Sequence, residues 1–311
     1  MAEKRTPALL IEDNRYCPGC GHGIINRVLA EVLEEMGLAE EAVISLAVGC
    51  GGLMMYSFGT DWIQAPHGRA AAVATGFKRV RPKNCVIAYQ GDGDALAIGF
   101  SETMYAAIRN ENITAIIVNN GIYGMTGGQM APTTLPGQKT ATSPKGRDAD
   151  TTGLPLDVIA FMKERKVGYL ARGSLHSARE INRVKKYIRA AIENQMNGGG
   201  YALVEILSPC PTNWYMTPEA AMKHIENTVE TVYPLGEFVK NGEKVDPVTA
   251  GRAFSPPACF SPMCPWRRAR SLPGCPPTDR KCAAERPVVT CASMITRYST
   301  PFTRKWTRSS P

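Results

Sequence analysis

Asp92 stands between two glycines in Gly91-Asp92-Gly93, and Asn119-Asn120 closes the next apolar run. Between them, Asp94 to Asn110 reads as a helix and Ile113–Val118 as a short β-branched strand. Asp92 and Asn120 are therefore expected at the carboxyl ends of two parallel strands, where open α/β sheets bind ligands. A hard divalent cation takes oxygen from a few protein groups and from phosphate to complete an octahedron. Glycines beside the acid let the backbone approach a diphosphate closely. Gly-Asp-Gly alone is an ordinary turn. A strand before it, a helix after it and Asn-Asn closing the next strand point instead to a metal-held diphosphate.

Cysteines form the second constellation. Cys17-Pro-Gly-Cys20 is followed by Cys50 in Val48-Gly-Cys-Gly-Gly52 and by Cys210 in Ser208-Pro-Cys-Pro211. Four thiolates serve an iron–sulfur cluster and need not be contiguous. A lone Cys-x-x-Cys also suits a thioredoxin-like redox pair or half of a zinc site. The redox motif normally follows a strand, whereas this one precedes every strand and leads into the helix Ile24–Met36. Zinc stays open on ligand count. Cys85 begins the apolar run Cys85–Tyr89 and is expected as a buried structural cysteine.

Together these motifs resemble the thiamine diphosphate-binding beta subunit of the 2-oxoacid:ferredoxin oxidoreductases. Cys17–His22, Val48–Gly51, His67-Gly-Arg-Ala70, Gly91–Asp94, Asn119–Gln129 and Ser208–Pro211 stand in that family's order, over roughly residues 8 to 240. The resemblance implies Mg²⁺ on the side chains of Asp92 and Asn120 and on the carbonyl of Ile122. It implies thiamine diphosphate against Val48, Gly49, Cys50, Gly51, Gly91, Gly93, Asp94, Gly124, Met125 and Thr126, with Met125 under the cofactor's bend. Asp94 could equally be a helix N-cap. A [4Fe-4S] cluster would sit on Cys17, Cys20, Cys50 and Cys210. His67 is the candidate catalytic residue and a candidate cofactor or substrate contact, and His22 a lesser candidate contact.

The implied reaction is oxidative decarboxylation of a 2-oxoacid to an acyl-coenzyme A and CO₂, with electrons passing through the cluster to ferredoxin. Thiamine enzymes need a glutamate to activate the aminopyrimidine. None is convincing here, since Glu31, Glu34 and Glu35 read as a helix's solvated side. The resemblance assigns that glutamate to an alpha subunit; gamma and delta subunits are further candidate partners. Relatives acting on dicarboxylates often carry Lys where this chain has Gly127. The small, apolar run Tyr123–Gln129 therefore suggests a branched-chain substrate such as 2-oxoisovalerate, the alternative being 2-oxoglutarate. A nonoxidative thiamine-dependent decarboxylase or carboligase would share Asp92 and Asn120 but not need the cysteines. A ferredoxin-like carrier would need the cysteines but not Asp92 and Asn120.

Charge is unevenly spread. The formal net charge is +8, yet residues 251–311 hold 11 basic and 2 acidic side chains against 25 and 26 in the preceding 250. The basic excess belongs to that tail, so neither a nucleic-acid nor a membrane partner is expected. Domain boundaries are expected at 1–245, the cofactor-binding domain, and 246–311. The latter stretch is rich in Pro, Cys and Arg, without helical or strand periodicity. It reads as disordered and resembles translation out of frame. Cys259, Cys264, Cys275, Cys282 and Cys291 in it form no Cys-x-x-Cys pair. No run of about 18 apolar residues suggests a membrane span, and Met1–Pro7 lacks a secretory apolar segment. A cytoplasmic location is expected.

The elements that must position these residues alternate. Helices are predicted over 22–37, 70–80, 95–110, 155–165 and 176–196, and strands over 43–48, 86–89, 113–118, 167–171 and 201–207. Ile24, Ile25, Val28, Leu29, Val32, Leu33 and Met36 form one helical stripe. Such alternation implies an α/β fold with a doubly wound, mainly parallel sheet of the thiamine-binding type. The segments Gly49–Gly51, Gly91–Asp94, Asn120–Thr126 and Ser208–Cys210 then each follow a strand's carboxyl end. Gly121–Gly153 lacks a core pattern and is expected as a long functional loop, stiffened by Pro132 and Pro136 and freed at Gly127 and Gly128.

Overall fold

A computed structural model describes residues 6–245 of the chain. The Pro/Cys/Arg-rich tail and the boundary expected at 245/246 lie outside the described residues. Ten strands are present among those described. They are β1 (Ala42–Leu46), β2 (Asp61–Gln64), β3 (Cys85–Gly91), β4 (Thr114–Asn119), β5 (Ile122–Tyr123), β6 (Gln129–Met130), β7 (Tyr169–Ser174), β8 (Ala202–Leu207), β9 (Gly236–Lys240) and β10 (Glu243–Lys244).

Eight of them form one sheet in the order β10-β9-β7-β8-β4-β3-β1-β2. From β7 to β2 every pairing is parallel, while β9 and β10 add an antiparallel edge. The central strands are buried throughout because both faces are covered. Cys85, Ile87, Tyr89, Ile116 and Val118 face one core with the helices Gly21–Glu35 and Ala178–Met196. Val86, Ala88, Ala115 and Ile117 face the other, with Ala70–Val80, Phe100–Ile108 and Val158–Met162. Burial on both faces explains why these strands read as apolar runs without alternation.

Local chemistry sets the helix starts. Ser177 caps Ala178–Met196 by accepting from Glu180 N, three residues into the Ser-x-x-Glu pattern. Glu31 and Glu35 are not merely solvated: Lys185 and Arg189 of that helix pair with them. The helix predicted over 95–110 is broken into a π-turn, Asp94–Ile98, and the α-helix Phe100–Ile108.

The expected long loop is more structured than its composition suggested. β5 and β6 form a hairpin across Gly124–Gly128, and Ala149–Thr152 is a short helix. Arg147, buried, organises the remainder by donating to the carbonyls of Ala131, Pro132, Thr134, Thr152, Gly153 and Leu154. Satisfying so many buried carbonyls lets an irregular segment pack inside a domain.

Candidate functional site

The carboxyl ends of β1, β3, β4 and β8 meet at one edge, and each delivers a motif. β3 ends in Gly91, so Asp92 emerges directly from it and is buried. Its Oδ1 accepts from Gly93 N at 2.9 Å, while Oδ2 accepts from Gly121 N at 2.8 Å and from the Thr133 hydroxyl. Burial pushes the Asp92 carboxyl up to about 6, against those three donors, which pull it down. An ionised carboxylate accepts about four hydrogen bonds, so lone pairs remain on Asp92. Asn120 lies just past β4, its Oδ1 accepting from Ile122 N at 3.1 Å and its carbonyl accepting from Trp214 Nε1 at 3.1 Å. Two oxygen donors are thus pre-oriented on adjacent parallel strands, which suits Mg²⁺.

Gly91 and Gly93 play different parts. A Cβ on Gly91 would meet nothing within 4 Å, leaving that flank open for a diphosphate. On Gly93 it would lie 2.2 Å from Tyr123 Cε1. Gly93 is therefore glycine for the ring of Tyr123, whose hydroxyl donates to the Gly93 carbonyl at 3.3 Å. Asp94 is not the N-cap of the following turn, a place taken by Gly93. Its Oδ1 meets His67 Nδ1 at 2.5 Å and accepts from Gly68 N, while its Oδ2 accepts from Gln90. The carboxylate only accepts, so Nδ1 carries the proton and His67 Nε2 is left as the free face. His67 is 37% exposed on its side chain.

After β1, Gly49 adopts φ 132°, a backbone state open to glycine, and turns the chain into the 3₁₀ helix Cys50–Tyr56. Val48 and Met125 are 42% and 50% exposed, unusual for large apolar side chains. Cys17-Pro-Gly-Cys20 closes as a turn, and Gly21 N donates to the Pro209 carbonyl at 3.4 Å. That brings the first cysteine pair beside the Ser208–Pro211 motif. Any Cβ on Gly21 would collide with Ser208 Oγ.

Cys50, Cys210 and the β5–β6 hairpin meet at Gly124. A Cβ there would lie 3.4 Å from Cys50 Sγ and 3.5 Å from Cys210 Sγ. Burial pushes Cys20 up to about 12 and Cys50 up to about 11, and neighbouring thiols add to both shifts: Cys210, Cys50 and Cys17 for Cys20, and Cys210 and Cys17 for Cys50. Cys17, Cys20, Cys50 and Cys210 thus form one electrostatic group. Among the described residues no three His, Cys, Asp or Glu side chains converge closely enough to hold a single ion. Cys85 stands apart, buried in β3.

His22 has its ring engaged elsewhere. Burial lowers it to about 4, its Nδ1 meets the Tyr89 hydroxyl at 2.7 Å, and its ring stacks on Tyr16. It is a satisfied core histidine. Glu205, buried near Asp92, is not a free acid: Arg172 and Asn119 occupy its two oxygens at 2.6 and 2.7 Å. Thr133, Tyr123, Gln90, Asn213 and Trp214 were missed by sequence reasoning. Apart from Tyr123, which lies within Asn119–Gln129, they carry no motif, and only their contacts to Asp92, Gly93, Asp94, Asn120, Gly124 and Cys210 reveal them.

The model of the thiamine pyrophosphate enzyme C-terminal TPP binding domain matches residues 47–206. Ketoisovalerate oxidoreductase subunit VorA of Methanothermobacter thermautotrophicus is 42% identical over 234 residues, 75% of this chain and 49% of that one. The chain therefore spans about half the length of that relative. The 2-oxoacid:ferredoxin oxidoreductase subunit beta of a Sulfolobus species is 34% identical over 237 residues, 75% of this chain and 74% of that one. Among solved structures, a 2-oxoglutarate:ferredoxin oxidoreductase from Magnetococcus marinus, with 2-oxoglutarate, coenzyme A and succinyl-CoA bound, aligns with a TM-score of 0.60 at 28% identity. It covers 77% of this chain and 84% of its own. With the sheet order, the strand-end motifs and these likenesses in agreement, the chain belongs to the thiamine pyrophosphate enzymes and, among them, to the 2-oxoacid:ferredoxin oxidoreductase beta subunits.

Proposed function

We propose that this chain is the cofactor-carrying beta subunit of a coenzyme A-dependent 2-oxoacid:ferredoxin oxidoreductase, acting in the cytoplasm on a branched-chain 2-oxoacid such as 2-oxoisovalerate. The observation that carries this reading is Gly124. A Cβ on it would lie 3.4 Å from Cys50 Sγ and 3.5 Å from Cys210 Sγ, and it belongs to the same hairpin as Ile122, beside the Asp92–Asn120 oxygen pair. A thiamine site and an electron acceptor would then share one short segment.

Asp92, Asn120 and the Ile122 carbonyl hold Mg²⁺ and through it the diphosphate, with the open flank of Gly91 admitting the phosphate oxygens. Val48 and Met125 supply exposed apolar surface for the cofactor's rings. Cys17, Cys20, Cys50 and Cys210 hold a [4Fe-4S] cluster. Bound thiamine supplies the electron sink for decarboxylation, and the cluster supplies one-electron transfer to ferredoxin. His67, fixed by Asp94, holds or moves a proton at Nε2. The pyrimidine-activating glutamate comes from an alpha subunit. Glu205 is already committed to Arg172 and Asn119, and Glu31 and Glu35 to Lys185. Gly127 adds no cation beside Met125, which favours a substrate without a second carboxylate.

The test is anaerobic. The chain is purified with its partner subunit, and 2-oxoisovalerate and coenzyme A are added while the iron–sulfur absorbance is followed. Bleaching that requires thiamine diphosphate and substrate together supports the reading. Bleaching by 2-oxoglutarate alone overturns the substrate assignment, and a folded sample without iron chromophore overturns the cluster.

A further inference from the structure

The four-residue helical turn Pro211–Trp214 directly follows Cys210 and reaches the cofactor loop at two points. Trp214 Nε1 donates to the Asn120 carbonyl at 3.1 Å, and Asn213 Nδ2 donates to the Gly124 carbonyl at 3.0 Å. The same Asn213 nitrogen lies 3.5 Å from Cys210 Sγ. A carboxamide nitrogen has two protons, so both contacts can be made at once. Facing a backbone carbonyl, which only accepts, fixes the amide with its nitrogen toward Gly124 and the sulfur.

Resting on the cluster reading given above, we propose that Asn213 is a positioning and tuning residue joining the two cofactor sites: one N–H steadies the Gly124 loop, and the other donates to the Cys210 sulfur and raises the reduction potential of the cluster. Physically, reduction adds negative charge to the cluster and its thiolates. A donor aimed at a ligand sulfur stabilises the reduced form more than the oxidised one, and hydrogen bonds to the sulfurs are among the factors that set such potentials. Asn213 also lies against the hairpin, since a Cβ on Gly128 would come within 3.1 Å of its Oδ1. One side chain thereby links where electrons leave to where they are received.

Equilibrium redox titration of the anaerobically purified protein tests this, with iron content measured on the same samples. Asn213→Leu keeps the size but removes both donors. It is expected to make the one-electron equilibrium about tenfold less favourable to reduction, about 59 mV lower, at unchanged iron content. Asn213→Asp, nearly isosteric, replaces the donor with a negative charge and is expected to lower the potential further. It serves also if the leucine variant does not fold. Trp214→Phe removes the other loop tether without touching the sulfur and should leave the potential where it is. The proposal is overturned if Asn213→Leu or Asn213→Asp titrates with the wild type, or if Trp214→Phe shifts as far as they do. Absence of a cluster from the wild type itself would instead overturn the cluster reading, a separate and distinguishable result.

Discussion

Asp92 is placed so that its ionisation opposes folding of the cofactor-free chain. Its carboxyl ordinarily titrates at 3.8, and burial raises it to about 6. At 1.36 kcal/mol per pKa unit, that rise is worth about 3 kcal/mol. Below pH 4 the group is protonated in both folded and unfolded chains and contributes no penalty. As the pH climbs toward 6, the unfolded chain ionises freely while the folded one resists. Stability contributed by the protonated form is thus lost between about pH 4 and 6 and is gone above that. The chain freed of thiamine diphosphate and Mg²⁺ should therefore lose about 3 kcal/mol across this window relative to Asp92→Asn, which cannot ionise. Urea denaturation of both proteins from pH 4 to 7.5 under reducing, anaerobic conditions gives the two profiles. Their difference in slope, rather than any constant offset from the altered hydrogen bonds, carries the answer. Glu205 contributes to the rise, so Glu205→Gln should move the midpoint of the Asp92 component to lower pH. Because a cation removes the penalty, Mg²⁺–thiamine diphosphate affinity should climb about tenfold per pH unit below 6 and flatten above it. Parallel profiles for wild type and Asp92→Asn would refute the assignment of Asp92 as a buried, pre-oriented ligand.

Three further perturbations address separate parts of the site. Gly93→Ala places a methyl group 2.2 Å from the Tyr123 ring and should cost about 1–3 kcal/mol in denaturation. Adding Tyr123→Ala should recover part of that loss, and additivity of the two changes would contradict the contact. Arg147→Met removes the donors to six carbonyls. Limited proteolysis should then cut within residues 121–153 much faster than in the wild type, whereas equal resistance would show that the loop is held by other means. His67→Ala should lower substrate-driven cluster bleaching about 10²–10⁴-fold, the range for a lost proton-transfer group. Thiamine diphosphate binding should persist in that variant; a change in affinity alone would make His67 a binding residue.

Sequence reading reached the scaffold because both faces of the central sheet are buried. Apolar runs such as Ile113–Val118 then mark strands without needing alternation, and the ends of those runs mark the ligand edge. It failed where tertiary contacts decide the backbone. β2 (Asp61–Gln64) is a largely exposed edge strand with Asp and Gln at its ends, so neither burial nor propensity signals it. β9 and β10 add to β7 at the far edge through backbone pairing that carries no sequence pattern. The break in the helix after Asp92 arises because Gly99 must pass against the backbone of Gly68, where a Cβ would lie 2.5 Å from the Gly68 carbonyl oxygen.

The site divides along the same line. Groups that would touch a cofactor sit in short motifs, because they must be presented at consecutive backbone positions on a strand end. Groups that orient them, such as Thr133 on Asp92, Asp94 on His67 and Trp214 on Asn120, come from wherever the chain passes. Asp94 shows what the sequence leaves out: beside Asp92 and before a helix, it reads as a diphosphate or backbone contact or an N-cap. Gly93 takes the N-cap place, and the Asp94 carboxylate meets His67, Gly68 and Gln90. Position in a motif reveals that a residue is near the chemistry. Only its hydrogen-bond partners determine whether it acts on a ligand or on the residue that does.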